Sequence, residues 1–176
     1  AICLSMVADT PVTQQTPDRR IAAFRNPEPG ELYAWSGPAF ARALALVEEQ
    51  KLALVTGMAA LRAAKASRQP AAIMASEGAD FLEGVIDRLD EAHARFSLRH
   101  LQLVHYRVSE LGDIQTEAPV HGGLTAFGAE VIRRCNRLGI VVDIAHGTYE
   151  LVKKAAEVST KPLVLSHTSF AQKPPA

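Results

Sequence analysis

Short, almost continuously apolar runs alternate with amphipathic helical patterns along this chain, and that alternation limits the fold more than any other feature. Apolar character without a two-residue rhythm is typical of parallel strands that are buried on both faces. The runs are AICLSMVA (1–8), AAIMASEG (71–78), HLQLVHY (100–106), IVVDIAH (140–146) and PLVLSH (162–167). Strand–helix–strand repeats joined by short connections predict right-handed crossovers and a parallel sheet, and therefore an α/β fold.

Between these runs, apolar residues recur with the 3.6-residue period of a helix. The three clearest stripes are Phe40–Leu44–Val47, Ile86–Leu89–Phe96 and Phe127–Val131–Cys135–Leu138. Gly139 is placed to end the third helix, since glycine adopts the left-handed conformation at a helix C-terminus without strain. Thr148 is predicted to cap the N-terminus of the last helix, with Glu150 in its first turn.

Two segments each allow two interpretations. LALVTG (52–57) is either a further strand or a break inside one long helical region, and we favour the break. Residues 9–36 form a long connection rich in proline, arginine and acidic residues. Because connections of that length are usually functional or mobile, this one either covers an active site or extends into solvent.

Composition excludes some classes of partner. The 176 residues are 48% hydrophobic and carry 19 basic and 19 acidic side chains, which is ordinary for a soluble globular protein. A zero net charge without a basic cluster predicts no nucleic-acid partner. No apolar run approaches the length that spans a bilayer. Cys3 and Cys135 are expected to be buried free thiols.

The two ends of the sequence look like cut points. The chain begins inside an apolar strand and stops in mid-loop after another. We therefore expect this chain to be a piece of a longer protein, in which any targeting signal would lie outside this piece. The compartment is left open, with the cytoplasm expected if the source is bacterial.

Four successive predicted strands end in a residue that can bind a metal or a proton. These residues are Glu77, His105, His146 and His167. The carboxyl ends of parallel strands form the active-site rim of a (β/α)8 barrel and the ligand crevice of an open sheet. By strand alternation, each of the first three is the last member of an apolar column, at the mouth of the core. One carboxylate and two imidazoles suit zinc, although polar groups that merely end a strand are an alternative.

The other histidines are interpreted differently. His93 lies on a charged helix and is expected to be solvated. His100 precedes a strand and is placed at the opposite, N-terminal rim. His121, in a loop that leaves the active rim, could contact a substrate. Asp143 faces away from the metal side by strand alternation, so a structural role is expected, such as binding backbone groups or a neighbouring helix.

A series of motifs in a fixed order resembles the membrane dipeptidase family, also called renal dipeptidase, of zinc peptidases. The motifs are GLTAFG (123–128), NRLG (136–139), DIAH (143–146) and SHT (166–168), preceded by SEGADFLEG (76–84) and LQLVHY (101–106). The resemblance is close over about residues 71–170. It implies a (β/α)8 TIM-like barrel of the metal-dependent hydrolase type, with residues 1–176 forming one partial domain. By this alignment the chain covers about strands two to six, without the first strand, its His-x-Asp ligands, or the last two strands.

The resemblance also implies roles for the residues at the strand ends. Glu77 would bridge two zinc ions, and His146 and His167 would complete the second zinc site. His105 would contact the substrate and stabilise the oxyanion of the tetrahedral intermediate, as the catalytic histidine. One departure is Gly78-Ala79-Asp80, where many members have Gly-Gly-His, so the inner wall of the site is expected to differ there.

These roles predict zinc-dependent hydrolysis of dipeptides or similar small amides by a metal-bridging hydroxide. Two alternatives stay open. One is a related amidohydrolase that acts on lactones, cyclic amides or N-acyl amino acids. The other is a catalytically inactive homologue that kept the fold for binding. The expected partner is a small dipeptide-like substrate, and a homodimer is an open alternative.

Overall fold

The predicted parallel α/β sheet is present in the computed structural model, which describes residues 1–168. Its strands, in chain order, are β1 (Ile2–Val7), β2 (Thr13–Gln15), β3 (Ile21–Ala23), β4 (Ala53–Leu54), β5 (Ala71–Glu77), β6 (Leu98–Gln102), β7 (Val141–Asp143) and β8 (Leu163–Val164). The α-helices are α1 (Glu31–Glu49), α2 (Met58–Ala66), α3 (Asp87–Arg95), α4 (Ala126–Leu138) and α5 (Tyr149–Val158). Six of these strands form one sheet, and β2 and β3 form a separate antiparallel hairpin.

The order of the main sheet is β1-β5-β6-β7-β8, and every pairing in it is parallel. The register brings the carboxyl ends of the strands to one edge. Val7 lies opposite Glu77, and Gln102 lies opposite Asp143, which in turn lies opposite Val164. The loops that follow these strands therefore leave from the same edge, where a parallel sheet presents its ligand-binding groups.

The helical stripes predicted from the sequence pack against the sheet and form the core. Phe40 of α1 stacks on Phe96 with ring centroids 5.2 Å apart, and it meets Phe81 edge-on at 5.7 Å. The predicted helix ends are also confirmed. The Thr148 hydroxyl accepts a hydrogen bond from Leu151 N, and Gly139 ends α4 with φ of 72°. No helix within residues 1–168 is long and apolar enough to cross a membrane.

The interpretation of residues 52–57 as a helical break is wrong, because they contain strand β4. Ala53 N donates a hydrogen bond to Pro70 O at 2.9 Å, and Val55 N donates one to Ala72 O at 2.8 Å. These bonds add β4 to the beginning of β5, away from the main path of the sheet. The run is too short for its pattern to separate a two-residue strand from a loop.

Strand β1 lies at one edge of the sheet, which corrects the prediction that Cys3 is buried. Its burial is poor because β5 is its only partner strand in the described part of the chain, and Ile2 is 59% exposed. Cys3 is a free, exposed thiol, whereas Cys135 is free and buried as predicted. Burial raises the pKa of the Cys135 thiol to about 12, so this thiol is inert at neutral pH.

Candidate metal centre

Glu77, His105, His146 and His167 come together at the carboxyl edge of the sheet. The Nε2 atoms of His146 and His167 are 2.9 Å apart. Glu77 Oε1 lies 3.5 Å from His167 Nε2 and 3.6 Å from His105 Nε2. Four side chains from four strand–loop junctions thus surround one small volume.

The histidines are not the last strand residues that the alternation predicted. Each lies three residues beyond its strand: His105 after β6, His146 after β7 and His167 after β8. The backbone turns there, with φ of 66° at His146 and 32° at His167. A left-handed conformation is unfavourable for a residue other than glycine and is held only where its surroundings fix it. The backbone turn in each loop, rather than strand alternation, therefore sets the direction of the His146 and His167 imidazoles.

Asp143 connects the loops that carry His146 and His167. Its Oδ1 atom accepts hydrogen bonds from Ala145 N at 3.0 Å and from Ser166 N at 3.2 Å. The side chain is fully buried at the end of β7. The predicted structural role of Asp143, binding backbone groups, is confirmed by these contacts.

His100 lies within β6, so the prediction that it precedes a strand is wrong. Its Nε2 atom is 3.4 Å from Asp143 Oδ2. Burial raises the pKa of Asp143, but the nearby side chains of His100 and Ser166 and the backbone amides of Ala145 and Ser166 outweigh this effect and lower the pKa to about 2. Asp143 is therefore an ionised carboxylate that binds backbone amides of both histidine loops.

Asp9 is a site residue that sequence reasoning missed. Its Oδ1 atom lies 2.8 Å from His105 Nδ1, and its Oδ2 atom accepts a hydrogen bond from Tyr106 N at 2.9 Å. The residue is completely buried. One signal was present, because Asp9 follows the first apolar run as the histidines follow later runs.

Asp80 does not line the wall of the site, where the departure from Gly-Gly-His led us to expect a difference. It is completely buried behind Gly78, and Arg107 Nε donates a hydrogen bond to its Oδ1 atom at 2.9 Å. Burial raises the pKa of Asp80 to about 7, against the opposing charge of Arg107. This contact joins the loop after β5 to the loop after β6.

A cleft of about 680 Å³ opens above the four residues. Its lining residues are Val7, Thr10, Thr13, Gln14, Gln15, Ile21, Glu77, His105, Tyr106, His146 and His167. The structure therefore favours the interpretation that residues 9–36 cover the site, because the β2–β3 hairpin forms one wall of the cleft. His121 is exposed and does not line this cleft.

The donor set fits a divalent cation. One ligand atom from each of Glu77, His105 and His146 lies within 4.8 Å of the other two. Burial and the imidazoles of His105 and His167 lower the pKa of His146 to about 4. Neutral imidazole is the form that binds metals, and a carboxylate with imidazoles is a usual zinc donor set. The close approach of His146 Nε2 to His167 Nε2 also suits two nitrogens that share one cation.

Residues 37–173 match the sequence model of the family described as Membrane dipeptidase (Peptidase family M19). This chain belongs to the membrane dipeptidase family. The predicted family resemblance is confirmed. Among curated relatives, Dipeptidase tcpJ of Claviceps purpurea is 34% identical over 100 residues, which are 56% of this chain and 23% of that protein. Dipeptidase 3 of Homo sapiens is 27% identical over 124 residues, 68% of this chain and 25% of that protein.

Solved structures of metallopeptidases share the fold. The chain superimposes on a metallopeptidase called dipeptidase AC with a TM-score of 0.74 and 21% identity, over 92% of this chain and 49% of that one. A Rhodobacter sphaeroides metallopeptidase liganded with a phosphinate mimic of the dipeptide L-Ala-D-Ala gives a TM-score of 0.62 at 28% identity, over 71% of this chain and 38% of that one. The predicted fold class, a (β/α)8 barrel of the metal-dependent hydrolase type, is confirmed for the part that this chain represents. The chain spans about a quarter of the length of these curated relatives and less than half of these solved chains.

Proposed function

We propose that the protein of which this chain is part hydrolyses dipeptides or similar small amides at a zinc centre. The observation that carries the proposal is the convergence of the Glu77 carboxylate with imidazoles from three loops at one sheet edge. Membership of the membrane dipeptidase family supports it, as does the dipeptide mimic in the Rhodobacter sphaeroides relative.

Glu77, His146 and His167 are the residues proposed to hold the metal. Glu77 would contribute its carboxylate to both metal ions, the role that the family resemblance implies. When bound, such ions polarise a carbonyl oxygen and lower the pKa of water to near neutrality. The buried Asp143 carboxylate fixes the loops of His146 and His167, so that both imidazoles are placed before a metal arrives.

His105 is proposed to bind the substrate and to stabilise the oxyanion. Its ring lies between Asp9 and the cleft, with Nε2 directed towards Glu77. A hydrogen bond to an oxygen on which charge develops is typically worth about 2.7–4 kcal/mol of transition-state stabilisation. A metal-ligand role is a second candidate for His105, because one of its ring nitrogens lies within 4.8 Å of ligand atoms of Glu77 and His146. The metal content of a His105→Ala variant separates the roles, since only a ligand variant loses metal.

The β2–β3 hairpin gives the cleft a neutral wall. The hairpin side chains that line it are Thr13, Gln14, Gln15 and Ile21, none of which is charged. We therefore expect the part of the substrate that faces the hairpin to be uncharged, because a buried charge needs a partner.

The test is metal content and dipeptide turnover of the full-length protein and its His146→Ala and His167→Ala variants. We expect both variants to lose metal and to lose turnover by about 10²-fold or more, because an incomplete ligand set weakens the metal site. A His93→Ala variant, on the outer helix α3, is the matched control and should retain both. Unchanged turnover in both site variants would end the proposal.

The substrate class is tested with a panel of L,L- and L,D-dipeptides, lactones and N-acyl amino acids. Turnover of dipeptides is expected. Turnover restricted to lactones or N-acyl amino acids would instead identify a related amidohydrolase. A folded, metal-loaded protein that turns over no member of the panel would favour an inactive binding homologue.

A further inference from the structure

We propose that Asp9 is a positioning residue that fixes the orientation and tautomer of His105, so that His105 Nε2 faces the cleft. The catalytic consequence of this inference rests on the proposed function. Its geometric part does not, because it concerns only hydrogen bonds within this chain.

The backbone around Asp9 is fixed by the sheet and by the turn that follows. Ala8 N donates a hydrogen bond to Glu77 O at 3.0 Å, which extends the β1–β5 pairing up to Asp9. Asp9 O accepts hydrogen bonds from Val12 N at 3.0 Å and from Thr13 Oγ1 at 3.1 Å. The carboxylate is therefore attached to a point in the fold that cannot shift freely.

The Asp9 side chain is committed to His105 rather than to local structure. Asp9 stands at the N-cap of a short 3₁₀ helix, Thr10–Val12, where an aspartate normally accepts a hydrogen bond from a helix amide. Here the side chain makes no such capping bond. Both carboxylate oxygens instead bond across the fold, to His105 Nδ1 and to Tyr106 N.

The contacts of the two Asp9 oxygens favour one tautomer of His105. Asp9 is completely buried, its Oδ2 atom accepts a hydrogen bond from Tyr106 N, and its Oδ1 atom lies 2.8 Å from His105 Nδ1. We therefore assign the proton of this contact to His105 Nδ1, with Asp9 Oδ1 as its acceptor. The opposite ring nitrogen, Nε2, then faces Glu77 at 3.6 Å, and it can donate a hydrogen bond to an oxyanion once it also carries a proton.

Close packing restricts the orientation of the His105 ring. Tyr106 and His146 meet the His105 ring with centroids 4.3 and 4.8 Å away. A Cβ atom at Gly78 would lie only 3.3 Å from His105 Cβ. The ring is thus packed against Tyr106 and His146, and Asp9 sets which of its nitrogens faces the cleft.

The first experiment reads the tautomer directly. Long-range ¹H–¹⁵N spectra of histidine-labelled, metal-free full-length protein are recorded at a pH where histidine is neutral. We expect His105 with the proton on Nδ1 in the wild type and mainly on Nε2 in Asp9→Ala, because the acceptor for Nδ1–H is gone. A wild-type His105 protonated on Nε2, or an unchanged tautomer in folded Asp9→Ala, would overturn the proposal.

The second experiment separates positioning from folding. Asp9→Ala is expected to lower kcat about 10- to 100-fold, the usual cost of losing an outer partner of a site histidine, with KM changed less than about threefold. Asp9→Asn keeps an oxygen that can accept the Nδ1 proton, so it should lose less kcat than Asp9→Ala. Asp87→Asn, an exposed aspartate at the start of α3, is the matched control and should retain wild-type values.

The outcomes distinguish this inference from the proposed function. A loss that appears only in KM, or a folded Asp9→Asn as impaired as Asp9→Ala, would overturn the positioning role. If the wild type hydrolyses no dipeptide, the proposed function fails, and the tautomer of His105 still decides whether Asp9 positions it.

Discussion

Gly128 illustrates, at the scale of one residue, how tightly the site's supporting elements are packed. It lies in the first turn of α4, inside the GLTAFG motif. A Cβ atom there would collide with Leu111 O and would lie 2.6 Å from Leu124 Cδ1. Glycine at this position allows α4 to approach the loop that precedes it.

Gly128→Ala should lower the free energy of unfolding by about 1–3 kcal/mol, the usual cost of overpacking. The higher helix propensity of alanine, worth about 1 kcal/mol, acts in the opposite direction and is expected to be the smaller effect. Urea unfolding of the full-length protein measures the difference. Gly37→Ala in α1 is the control, because no atom lies within 4 Å of its Cβ position, and its effect should not exceed about 1 kcal/mol. Equal effects of the two substitutions would contradict the packing argument.

At the residue scale, the sequence pointed to the four residues that meet at the sheet edge but not to Asp9. Glu77 and the three histidines follow apolar runs, and parallel strands bring such positions to one edge. Asp9 also follows such a run, but it is the first residue of a long polar loop, where an aspartate is common and does not by itself indicate a site. Its partner His105 is 96 residues away, so only the register between β1, β5 and β6 reveals the contact.

Among the elements, the loop between β6 and α4 is held by one buried carboxylate. Asp113 accepts hydrogen bonds from Val120 N at 2.8 Å, His121 N at 2.9 Å and Gly123 N at 2.7 Å. The same loop reaches the site, because Gln115 N donates a hydrogen bond to His146 O at 2.8 Å. Asp113 therefore stabilises a loop that supports a proposed metal ligand.

Asp113→Asn should cost about 1–3 kcal/mol of stability at neutral pH, because an amide cannot accept all three backbone bonds. Burial raises the pKa of Asp113, but the bonds from Gly123, Val120 and His121 outweigh it and leave the pKa below its usual value of 3.8. A carboxylate with a lowered folded-state pKa stabilises the fold above its unfolded pKa, and this stability is lost as pH falls through the folded-state pKa.

The cost of Asp113→Asn should therefore shrink as the pH is lowered below about 4. Unfolding free energies of metal-free wild type and variant, measured from neutral to acidic pH, give this difference. A cost that stays constant over the whole range would show that ionised Asp113 is not what holds the loop.

The β2–β3 hairpin is the other element that shapes the site. Ile21 is the apolar hairpin residue that lines the cleft. Ile21 is 41% exposed and lines the cleft beside the four candidate residues. Ile21→Ala should raise KM for an uncharged dipeptide about fivefold, equivalent to roughly 1 kcal/mol of lost apolar contact, with kcat little changed.

Steady-state kinetics of the full-length protein measure the effect of Ile21→Ala. Val85→Ala is the matched control, since Val85 is 43% exposed but does not line the cleft. If Ile21→Ala leaves KM unaltered, or if both variants change it equally, the hairpin is not part of the binding surface.

Elements with a strong period were predictable, and those fixed by tertiary contacts were not. The stripes of α1, α3 and α4 follow from repeated apolar residues, and the caps of α4 and α5 follow from Gly139 and Thr148. β4 is only two residues long and depends on pairing with Ala71 and Ala72, which local sequence does not encode. Likewise, β6, β7 and β8 end before their histidines, because the turns in the loops are set by hydrogen bonds such as those of Asp143.

For the whole molecule, the site exists only because distant segments share one sheet. Glu77 and His167 are brought together through β5, β6, β7 and β8 in succession. Strands β1 and β8 form the two ends of this order in residues 1–168, and Ile2 and Leu165 are exposed there. The barrel class followed from the family motifs, whereas composition and periodicity alone led only to a parallel α/β sheet.

The most direct test of the metal centre is anomalous scattering at the zinc absorption edge from crystals of the full-length protein. We predict a strong anomalous peak within about 2.0–2.2 Å of a Glu77 carboxylate oxygen and of imidazole nitrogens of His146 and His167. A zinc-supplemented crystal with no anomalous peak among these side chains, or with the peak bound elsewhere, would contradict the account.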